Sequence, residues 1–561
     1  MSENEAKKFF EKAIENYREK KFDLAEKNFE AASNLLPNRI SILENLASIY
    51  FLNKKFEEAE QVLNKLDKIN IDNDKLSEIR FYVLKKLHKY EELHELLKKK
   101  NFFKDISKKI FINAKLLYPS FFNDTSEIDK ARSNLIANIE ELNESKNVNL
   151  SLDGEMLEPP IFNLSYDQYE NINVNSKIVQ IYRKIYPELN QEFKIIEKNK
   201  KIRIGFISEF FSNHTIGKLF KGMIFNLNSD KFEIFIFHSH KTDQSPIFKE
   251  FLEAEKNSNI KNIILSKNFQ KNVDQISQKN LDIVFFPDIG MSSELYYLSF
   301  IRFAKIQITS WGHPITTSNS SIDYFLSSKL LETKNAQEKF SEKLILSNYL
   351  PMYFYKPKIR NILSEDEIVK KNFYFCSQNL MKMHPNFDEI VGKILNKDKK
   401  SKIFFIKDND EIMSKKLLKR FKKNSLIDLD RVKFFEKMGV EDYINICGSS
   451  SVLLDTLYFG AGNSFHESMF YGTPTVTMPT DYLKSRIVLG AYKQMKIDKP
   501  PVVNSIDEYV DCAIELANLD KYKMLELKKH LQKSADKHLF ENKEFIQEFN
   551  GILENLHNIK D

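Results

Sequence analysis

The chain has 561 residues, of which 42% are hydrophobic and 29% charged, a composition typical of folded proteins and too apolar for a disordered chain. Its formal net charge of +6 is small for this length, which argues against a dedicated nucleic-acid-binding protein. The three cysteines include no CxxC pair, so we expect neither a disulfide framework nor a cysteine-based zinc site. A charged N-terminus and the lack of a long uncharged apolar stretch predict no signal peptide and no membrane span, and hence a cytoplasmic location.

The N-terminal part of the chain predicts a helical repeat. Of 14 glycines, only Gly154 lies before residue 200. A period of 34 residues relates the segment 20–26 to the segment 54–60, and a weaker third copy follows with Tyr90 and Leu93. Small residues at fixed positions let paired helices approach closely, so the pattern resembles the tetratricopeptide repeat (TPR). A generic array of helical hairpins is the alternative. Repeats of the tetratricopeptide type present a concave surface, so we expect a protein or peptide partner to bind near them.

We assign residues 1–100 to these TPR-like repeats and residues 101–200 to a helical and linker region. Apolar spacing predicts helices over Ile106 to Leu117, Ile128 to Leu142 and Ser176 to Tyr186. The stretch from Asn147 to Asn175 contains Gly154 and two prolines, and it is typical of an irregular linker.

From Lys201 onward, short apolar strands alternate with helices, a pattern that predicts parallel sheets covered on both faces. We assign residues 201–360 to one Rossmann-like half and residues 361–561 to a second, nucleotide-sugar-binding half. The predicted strands are Lys201–Ser208, Phe232–Phe237, Ile283–Phe286, Ile306–Thr309, Phe373–Ser377, Lys402–Ile406, Val432–Phe435, Val452–Asp455 and Thr475–Met478. Two such halves imply a cleft with ligands at the carboxyl ends of the strands.

A glycine-containing loop follows the predicted strand that ends at Asp455. Gly462 precedes Asn463 and Ser464, either of which could cap the next helix, and Glu467 lies one turn further on. A helix start at this point offers free backbone N–H groups, which suit a diphosphate. In the alternative interpretation the glycines only form a tight turn between strand and helix. Neither half contains GxGxxG or GxxxxGK[ST], which argues against dinucleotide oxidoreductases and P-loop NTPases.

Several blocks in the second part of the chain carry a family resemblance. They are Ser208 to His214, Ser310 to Thr317, Phe340 to Leu344, Asn379 to Pro385 and Leu454 to Pro479. In this order, and preceded by TPR-like repeats, they resemble glycosyltransferase family 41. That family includes O-linked N-acetylglucosamine transferases, Spindly-type protein fucosyltransferases and bacterial adhesin N-glucosyltransferases.

The resemblance implies a GT-B fold, an inverting transfer and no metal or other cofactor, with a nucleotide sugar as donor. It places Lys382 and the loop Gly462-Asn463-Ser464 at the donor diphosphate, and Asn379 and Glu467 at the nucleotide sugar. It places His214 at the mouth of the cleft, as a site residue and possible base. His313 would line the cleft. Lys382 and the two histidines also have interpretations without a functional role: Lys382 could be a surface lysine, and the histidines could be structural.

The chain also departs from the family pattern. The triplet Gly462-Asn463-Ser464 stands where the family often has His-Thr-Thr, which leaves the donor open, and Asn379 stands where Gln is common.

Two sequence patterns resemble metal sites but are weak evidence for one. Asp408-Asn409-Asp410 imitates a DxD motif by chance composition, and His238 and His240 have no evident third ligand for zinc.

The sequence therefore predicts a cytoplasmic protein glycosyltransferase that moves GlcNAc from UDP-GlcNAc to Ser or Thr of a protein. Two enzymatic alternatives use UDP-glucose on Asn or GDP-fucose on Ser or Thr. A third alternative, of another class, is an inactive TPR scaffold that only binds a protein or a nucleotide sugar.

Overall fold

The computed structural model describes residues 2–69, 74–98, 107–191, 200–241, 244–257, 259–370 and 373–560. The chain divides into two compact units, Met1–Pro119 and Ser120–Asp561. The first unit is helical. Its helices are α1 (Ser2–Arg18), α2 (Phe22–Leu35), α3 (Ile40–Leu52), α4 (Phe56–Lys68), α5 (Asp74–Lys86), α6 (Tyr90–Lys98) and α7 (Lys108–Lys115).

The 34-residue period predicted from the sequence is visible in the backbone of this helical unit. Each of the first three helix pairs turns at a residue with positive φ, namely Lys20 at 60°, Lys54 at 61° and His88 at 51°. Glutamate–lysine pairs also recur, since Glu26 pairs with Lys55 of the next pair and Glu60 pairs with Lys89 of the pair after that. Ala13, Ala25, Ala47 and Ala59 are all fully buried, as expected for close helix packing.

The second unit begins with four helices that lead into the first sheet. These are α8 (Thr125–Glu144), α9 (Leu152–Glu155), α10 (Ile161–Leu164) and α11 (Ile172–Ile185). The segment predicted as a linker therefore contains two short helices and the start of a third. It is irregular, as the glycine and prolines predict, but Ile161, Leu164 and Ser165 are fully buried. The segment is thus part of the packed unit and not an exposed connection.

The first half is a seven-stranded parallel sheet in the order β3-β2-β1-β4-β5-β6-β7. Its elements are β1 (Ile202–Ser208), α12 (Thr215–Phe225), β2 (Phe232–His238), α13 (Pro246–Asn257), β3 (Ile260–Ile264), α14 (Phe269–Ser277), β4 (Ile283–Phe286), α15 (Ser293–Leu298), β5 (Ile306–Ser310), β6 (Tyr324–Ser328) and β7 (Lys343–Ser347). Strands β3, β6 and β7 are absent from the strands predicted from the sequence. Strands β3 and β7 form the two edges of the sheet and carry exposed polar residues, which weakens the apolar signal.

The second half is a five-stranded parallel sheet in the order β10-β9-β8-β11-β12. Its elements are α16 (Glu365–Lys370), β8 (Phe373–Phe375), α17 (Phe387–Lys397), β9 (Lys402–Ile406), α18 (Ile412–Phe421), β10 (Val432–Phe435), α19 (Val440–Ser449), β11 (Val452–Leu454), α20 (Asn463–Ser468) and β12 (Thr475–Val476). Four helices complete the chain: α21 (Ile487–Gln494), α22 (Ile506–Ala517), α23 (Lys521–His538) and α24 (Lys543–Lys560).

The last helix packs on the first sheet and not on the second. The ring of Phe549 on α24 lies 5.9 Å from the ring of Phe285 on β4. The Glu548 carboxylate accepts hydrogen bonds from the Ser347 hydroxyl at 2.6 Å and from the Asn348 backbone N–H at 3.0 Å, both at the end of β7. The two halves are therefore joined by the chain at two separate places.

A buried lysine on α23 connects the ends of α16 and α19 in the second half. Lys528 on α23 is 1% exposed, and its ammonium donates hydrogen bonds to the carbonyl oxygens of Ile368, Gly448 and Ser450 at 3.0, 2.7 and 2.7 Å. These carbonyls lie at the ends of α16 and α19, where no helical N–H reaches them. One side chain thus satisfies carbonyls from two helices.

We expect Lys528→Met to destabilise the second half by about 3 kcal/mol, because three buried carbonyls lose a charged donor. Calorimetric unfolding of the full chain measures this change. The control is Lys529→Met, since its neighbour Lys529 makes an exposed ion pair with Glu365 at 2.5 Å, and such pairs contribute about 0–1 kcal/mol. Equal unfolding temperatures for the two variants would contradict the role given to Lys528.

Candidate functional site

The glycine loop after β11 is built around one buried carboxylate. Asp455 accepts hydrogen bonds from the backbone N–H groups of Ala461 at 2.7 Å and Thr456 at 3.1 Å, and from the Thr477 hydroxyl at 2.7 Å. A Cβ atom on Gly460 would lie 2.8 Å from the same carboxylate, so the close approach requires glycine. Burial raises the pKa of Asp455 to about 6, although these hydrogen bonds oppose the shift.

Lys382 lies against this loop. It ends the short 3-10 helix Leu380–Lys382 that follows β8. Its ammonium donates to the Gly460 carbonyl oxygen at 3.0 Å and to Gln378 Oε1 at 2.8 Å, and it lies 4.7 Å from the centre of the Phe459 ring. Burial lowers the pKa of Lys382 to about 8, and the nearby Asp455 carboxylate partly opposes that change. The structure thus brings together Lys382 and the glycine loop, which the family resemblance placed at a common donor site.

Gln378 connects Lys382 to the next helix and was not singled out from the sequence. Its amide nitrogen donates to Ser464 Oγ at 2.8 Å, while its oxygen accepts from Lys382. Its neighbour Asn379 has a local role here, since its side chain accepts the Met381 backbone N–H at 3.0 Å and caps the 3-10 helix. Gln378 lies directly before the lysine-bearing block Asn379 to Pro385, and this position is the signal that could have identified it.

The helix after the glycine loop differs from the expectation in its cap. α20 starts at Asn463, so the cap position belongs to Gly462, and no side chain caps the helix. The prediction that Asn463 or Ser464 would cap it is wrong, because both residues already lie within the first helical turn. Asn463 is buried, and its side-chain oxygen has no hydrogen-bond partner among the described residues. A short helix of this kind carries a weak dipole, so its N-terminus alone would attract an anion only weakly.

An ion pair joins the two halves at this point. The Lys218 ammonium on α12 lies 2.6 Å from Glu467 Oε1 on α20, and the two side chains are 20% and 7% exposed. The loop after β1 and the loop after β11 therefore face each other. A ligand cleft beside this contact remains what the two-half pattern predicts.

His214 caps α12 on the first-half side of this cleft. Its Nδ1 accepts the Ile216 backbone N–H at 3.3 Å, and its ring stacks on Phe210 at 4.3 Å between ring centres. Burial, together with the charge of Lys218, lowers the pKa of His214 to about 4, so the ring is neutral at pH 7. With Nδ1 occupied as an acceptor, the ring proton resides on Nε2. His214 is thus arranged as a hydrogen-bond donor, and this geometry does not favour the base role that the sequence left possible.

His313 is enclosed. It is 3% exposed, and its ring stacks on Phe162 of α10 at 5.8 Å between centres. Burial lowers the pKa of His313 to about 4. Gly290, with φ of 108°, lies so close that a Cβ atom there would be 2.6 Å from the imidazole ring. His313 therefore packs between the first half and the segment that precedes it, and the structure does not bring it together with Lys382.

Aromatic rings connect that enclosed histidine to the glycine loop. Phe162 lies 5.4 Å from Tyr166, and Tyr166 lies 4.9 Å from Phe459, which in turn contacts the Lys382 ammonium. Asp167, next in sequence, is 3.7 Å from the ammonium of buried Lys484 and 2.7 Å from the guanidinium of Arg132. The segment around Tyr166 is thus fixed to both halves.

The metal-like patterns of the sequence have structural roles. The Asp408 carboxylate accepts the backbone N–H groups of Met413 and Ser414 at 2.8 and 2.9 Å, at the start of α18. The His238 ring contacts Asn262 Oδ1 at 2.8 Å. Across the described ranges, no group of three or more His, Cys, Asp or Glu side chains is arranged to hold a metal ion.

Of the helices that the structure describes, none combines the length and the apolar character that crossing a bilayer requires.

Comparison with known proteins agrees with this architecture. A model of glycosyl transferase family 41 matches residues 168–367 and 358–549. A mutant of the O-GlcNAc transferase from Thermobaculum terrenum superposes with a TM-score of 0.70 at 14% identity, covering 100% of this chain and 98% of that chain. At this identity the likeness concerns the fold, and it confirms the predicted fold class of helical repeats followed by two Rossmann-like halves in a GT-B arrangement.

Two curated relatives are similar to the chain over part of its length. A probable UDP-N-acetylglucosamine–peptide N-acetylglucosaminyltransferase, SEC, from Arabidopsis thaliana is 23% identical over 352 residues, which are 60% of this chain and 35% of the relative. A UDP-glucose:protein N-beta-glucosyltransferase from Actinobacillus pleuropneumoniae is 23% identical over 346 residues, 59% of this chain and 53% of the relative. The chain thus matches between about a third and about half of the length of these relatives. Because the family model covers more than half of its residues, the protein belongs to glycosyl transferase family 41.

Proposed function

We propose that the protein transfers a sugar from a nucleoside diphosphate sugar to a protein side chain. The observation that carries this proposal is the half-buried Lys382 ammonium on the Gly460 carbonyl, at the carboxyl ends of β8 and β11. A leaving diphosphate gains negative charge in the transition state, and a fixed cation beside backbone N–H groups stabilises that charge. Membership of the family supports the same assignment.

The more specific proposal is transfer of GlcNAc from UDP-GlcNAc to Ser or Thr. An acceptor hydroxyl attacks the anomeric carbon, the bond to the diphosphate breaks, and the products are the glycosylated protein, UDP and a proton. Lys382 holds the departing diphosphate. His214 donates a hydrogen bond through Nε2 to an oxygen at the mouth of the cleft. The name of the Arabidopsis relative supports GlcNAc as the sugar.

A second candidate is transfer of glucose from UDP-glucose to Asn. The relative from Actinobacillus, named for that activity, is as similar in sequence as the Arabidopsis protein and is covered over a larger share of its length. The triplet Gly462-Asn463-Ser464 leaves the donor open, because it lacks the histidine that the family often has there.

Turnover with a panel of donors tests both candidates. Purified protein is incubated with UDP-GlcNAc, UDP-glucose or GDP-fucose and a peptide library presenting Ser, Thr and Asn, and nucleotide release and peptide mass are followed. We expect repeated UDP release with UDP-GlcNAc and modified Ser or Thr. Nucleotide binding without turnover would support the inactive scaffold instead, and no binding by a folded sample would contradict the donor site.

Lys382→Ala should lower kcat by about 100-fold to 1,000-fold, because the leaving group loses its fixed cation. The control is Lys397→Ala, since Lys397 forms an exposed ion pair with Asp511 on the surface of the same half. Unchanged turnover in Lys382→Ala would reject the role given to Lys382.

We expect the affinity for UDP to fall above about pH 8. Burial lowers the pKa of Lys382 to about 8, so the ammonium is charged below that pH and loses its proton, and its attraction for the diphosphate, above it. Calorimetric titrations from about pH 6.5 to about pH 9.5 measure this decline. Lys382→Arg should remove it, because a guanidinium keeps its charge. A flat profile for the natural protein would contradict the assignment.

We further propose that the acceptor docks on a groove of the repeat unit. The groove has a volume of about 310 Å³ and is lined by residues of α1, α3 and α5: Tyr17, Ser48, Phe51, Leu52, Lys75, Glu78, Ile79 and Tyr82. Tyr17 and Leu52 are 39% and 41% exposed. Exposed aromatic and aliphatic side chains in a concave site are suited to an apolar peptide segment.

Tyr17→Ala combined with Leu52→Ala should raise the KM for the best library peptide about tenfold, because an apolar contact is lost, while the KM for the donor stays constant. Steady-state kinetics with each substrate varied in turn measure both constants. The control is Leu24→Ala, which removes a leucine that is 48% exposed on α2 and does not line the groove. Equal acceptor KM values in the two variants would contradict docking at this groove.

A further inference from the structure

The ion pair between Lys218 and Glu467 is not explained by the packing of either half alone. It joins α12, which begins beside His214, to α20, which begins at the glycine loop. We propose that Lys218 is a second cation for the donor diphosphate and that Glu467 positions it. The proposal rests on the proposed function, since it adds a contact to the same donor site.

The position of Lys218 on α12 places it next to His214. The two residues are four apart, and the Lys218 backbone N–H donates to the His214 carbonyl oxygen at 3.1 Å. His214 is the N-cap residue of α12, and the charge of Lys218 contributes to the lowered pKa of its ring, so the two side chains lie near each other. Glu467 pairs with Lys218 from the glycine-loop side. His214 and Lys218 therefore present a donor and a cation to the region where the loop begins.

The charge of Glu467 supplies the second argument. The carboxylate is nearly buried, and it stands five residues after Gly462 in the helix that begins at the loop. A diphosphate bound at that loop would be repelled by an unpaired carboxylate nearby, because like charges interact strongly in a partly buried site. Lys218 neutralises the carboxylate. It thereby makes the loop available to an anion.

The chemistry of the ammonium allows it to serve both groups. A lysine ammonium has three N–H donors. One of them goes to Glu467 Oε1 at 2.6 Å, and the side chain keeps 20% of its surface exposed. Lys218 can thus hold Glu467 and a phosphate oxygen together. Lys382 would then bind the diphosphate from the second half and Lys218 from the first, so that cations of both halves hold the donor.

A merely structural role for the ion pair, as a link between the halves, is the competing explanation. It predicts a loss of stability in variants but no preference for one ligand over another. The contrast between UDP and uridine separates the two, because both share the nucleoside and only UDP carries the diphosphate.

The test measures the affinities of UDP and uridine by calorimetry for the natural protein and for Lys218→Met. We expect the affinity for UDP to fall at least about tenfold and that for uridine to stay within about twofold. Lys221→Met is the matched control, because Lys221 lies on the same helix and pairs with Glu250 at 2.5 Å within the first half. It should change neither affinity.

A double variant separates the contact from the unpaired carboxylate. In Lys218→Met with Glu467→Gln, no charge is left unpaired, and we expect the ratio of UDP to uridine affinity to remain as low as in the single variant. Recovery of the natural ratio would overturn the proposal, since the loss would then come from Glu467 repulsion alone. Should Lys218→Met fail to fold, as judged by its circular dichroism, Lys218→Gln takes its place in both comparisons.

The failures of the two proposals are distinguishable. If the natural protein binds UDP and Lys218→Met binds it equally well, Lys218 is not a diphosphate ligand and the proposed function stands. If the natural protein binds neither UDP nor the other nucleotides of the donor panel, both proposals fall. Selection of GDP by that panel would replace UDP and uridine with GDP and guanosine, with the same outcomes expected.

Discussion

The hydrogen bonds of the buried Asp455 carboxylate determine the shape of the candidate site. They hold Ala461, Thr456 and Thr477 around one charge, so the glycine loop has a defined conformation before any ligand enters. The Gly460 carbonyl is thereby directed at Lys382, and Gln378 connects that lysine to the start of the next helix. A site preorganised in this way loses little free energy in reordering when charge develops on a substrate. The interactions across the cleft then add to an arrangement that is already fixed.

The fold was largely predictable because its main signals are local. The 34-residue period marked the repeat, and β-branched apolar runs marked the central strands of both sheets. The edge strands β3 and β7 were not predicted. One side of an edge strand faces solvent, so polar residues such as Lys261 interrupt the apolar run. The sequence predicts a linker around Tyr166, because glycine and proline indicate an irregular backbone but not whether it is buried. Its burial against both halves depends on contacts with residues far along the chain, such as Phe459.

The site was predictable in part, and the missing part has a common cause. Lys382, Gly462 and Ser464 could be placed at one location because each belongs to a continuous block of sequence. Gln378 contacts Ser464 and Lys218 pairs with Glu467, both far along the chain, and spacing carries no information about such pairs. The partners of Asp455 lie within its own block, but which N–H and hydroxyl groups surround its carboxylate depends on the folded conformation of the loop. Whether His214 donates or accepts a proton depends on one backbone N–H, that of Ile216. A sequence shows the imidazole but not which of its nitrogens is already occupied.

The return of α24 to the first sheet has a consequence for how the chain folds during synthesis. Phe549 and Glu548 complete the packing and hydrogen bonding of strands that lie 200 residues or more earlier in the chain. A nascent chain in which all seven strands of that sheet have been synthesised still exposes the apolar surface that α24 will cover. Such contacts between distant parts of a chain form late and leave intermediates open to aggregation. The first half therefore forms its strands early in translation but is complete only after α24 has been synthesised, so substitutions in α24 should change the solubility of the first half.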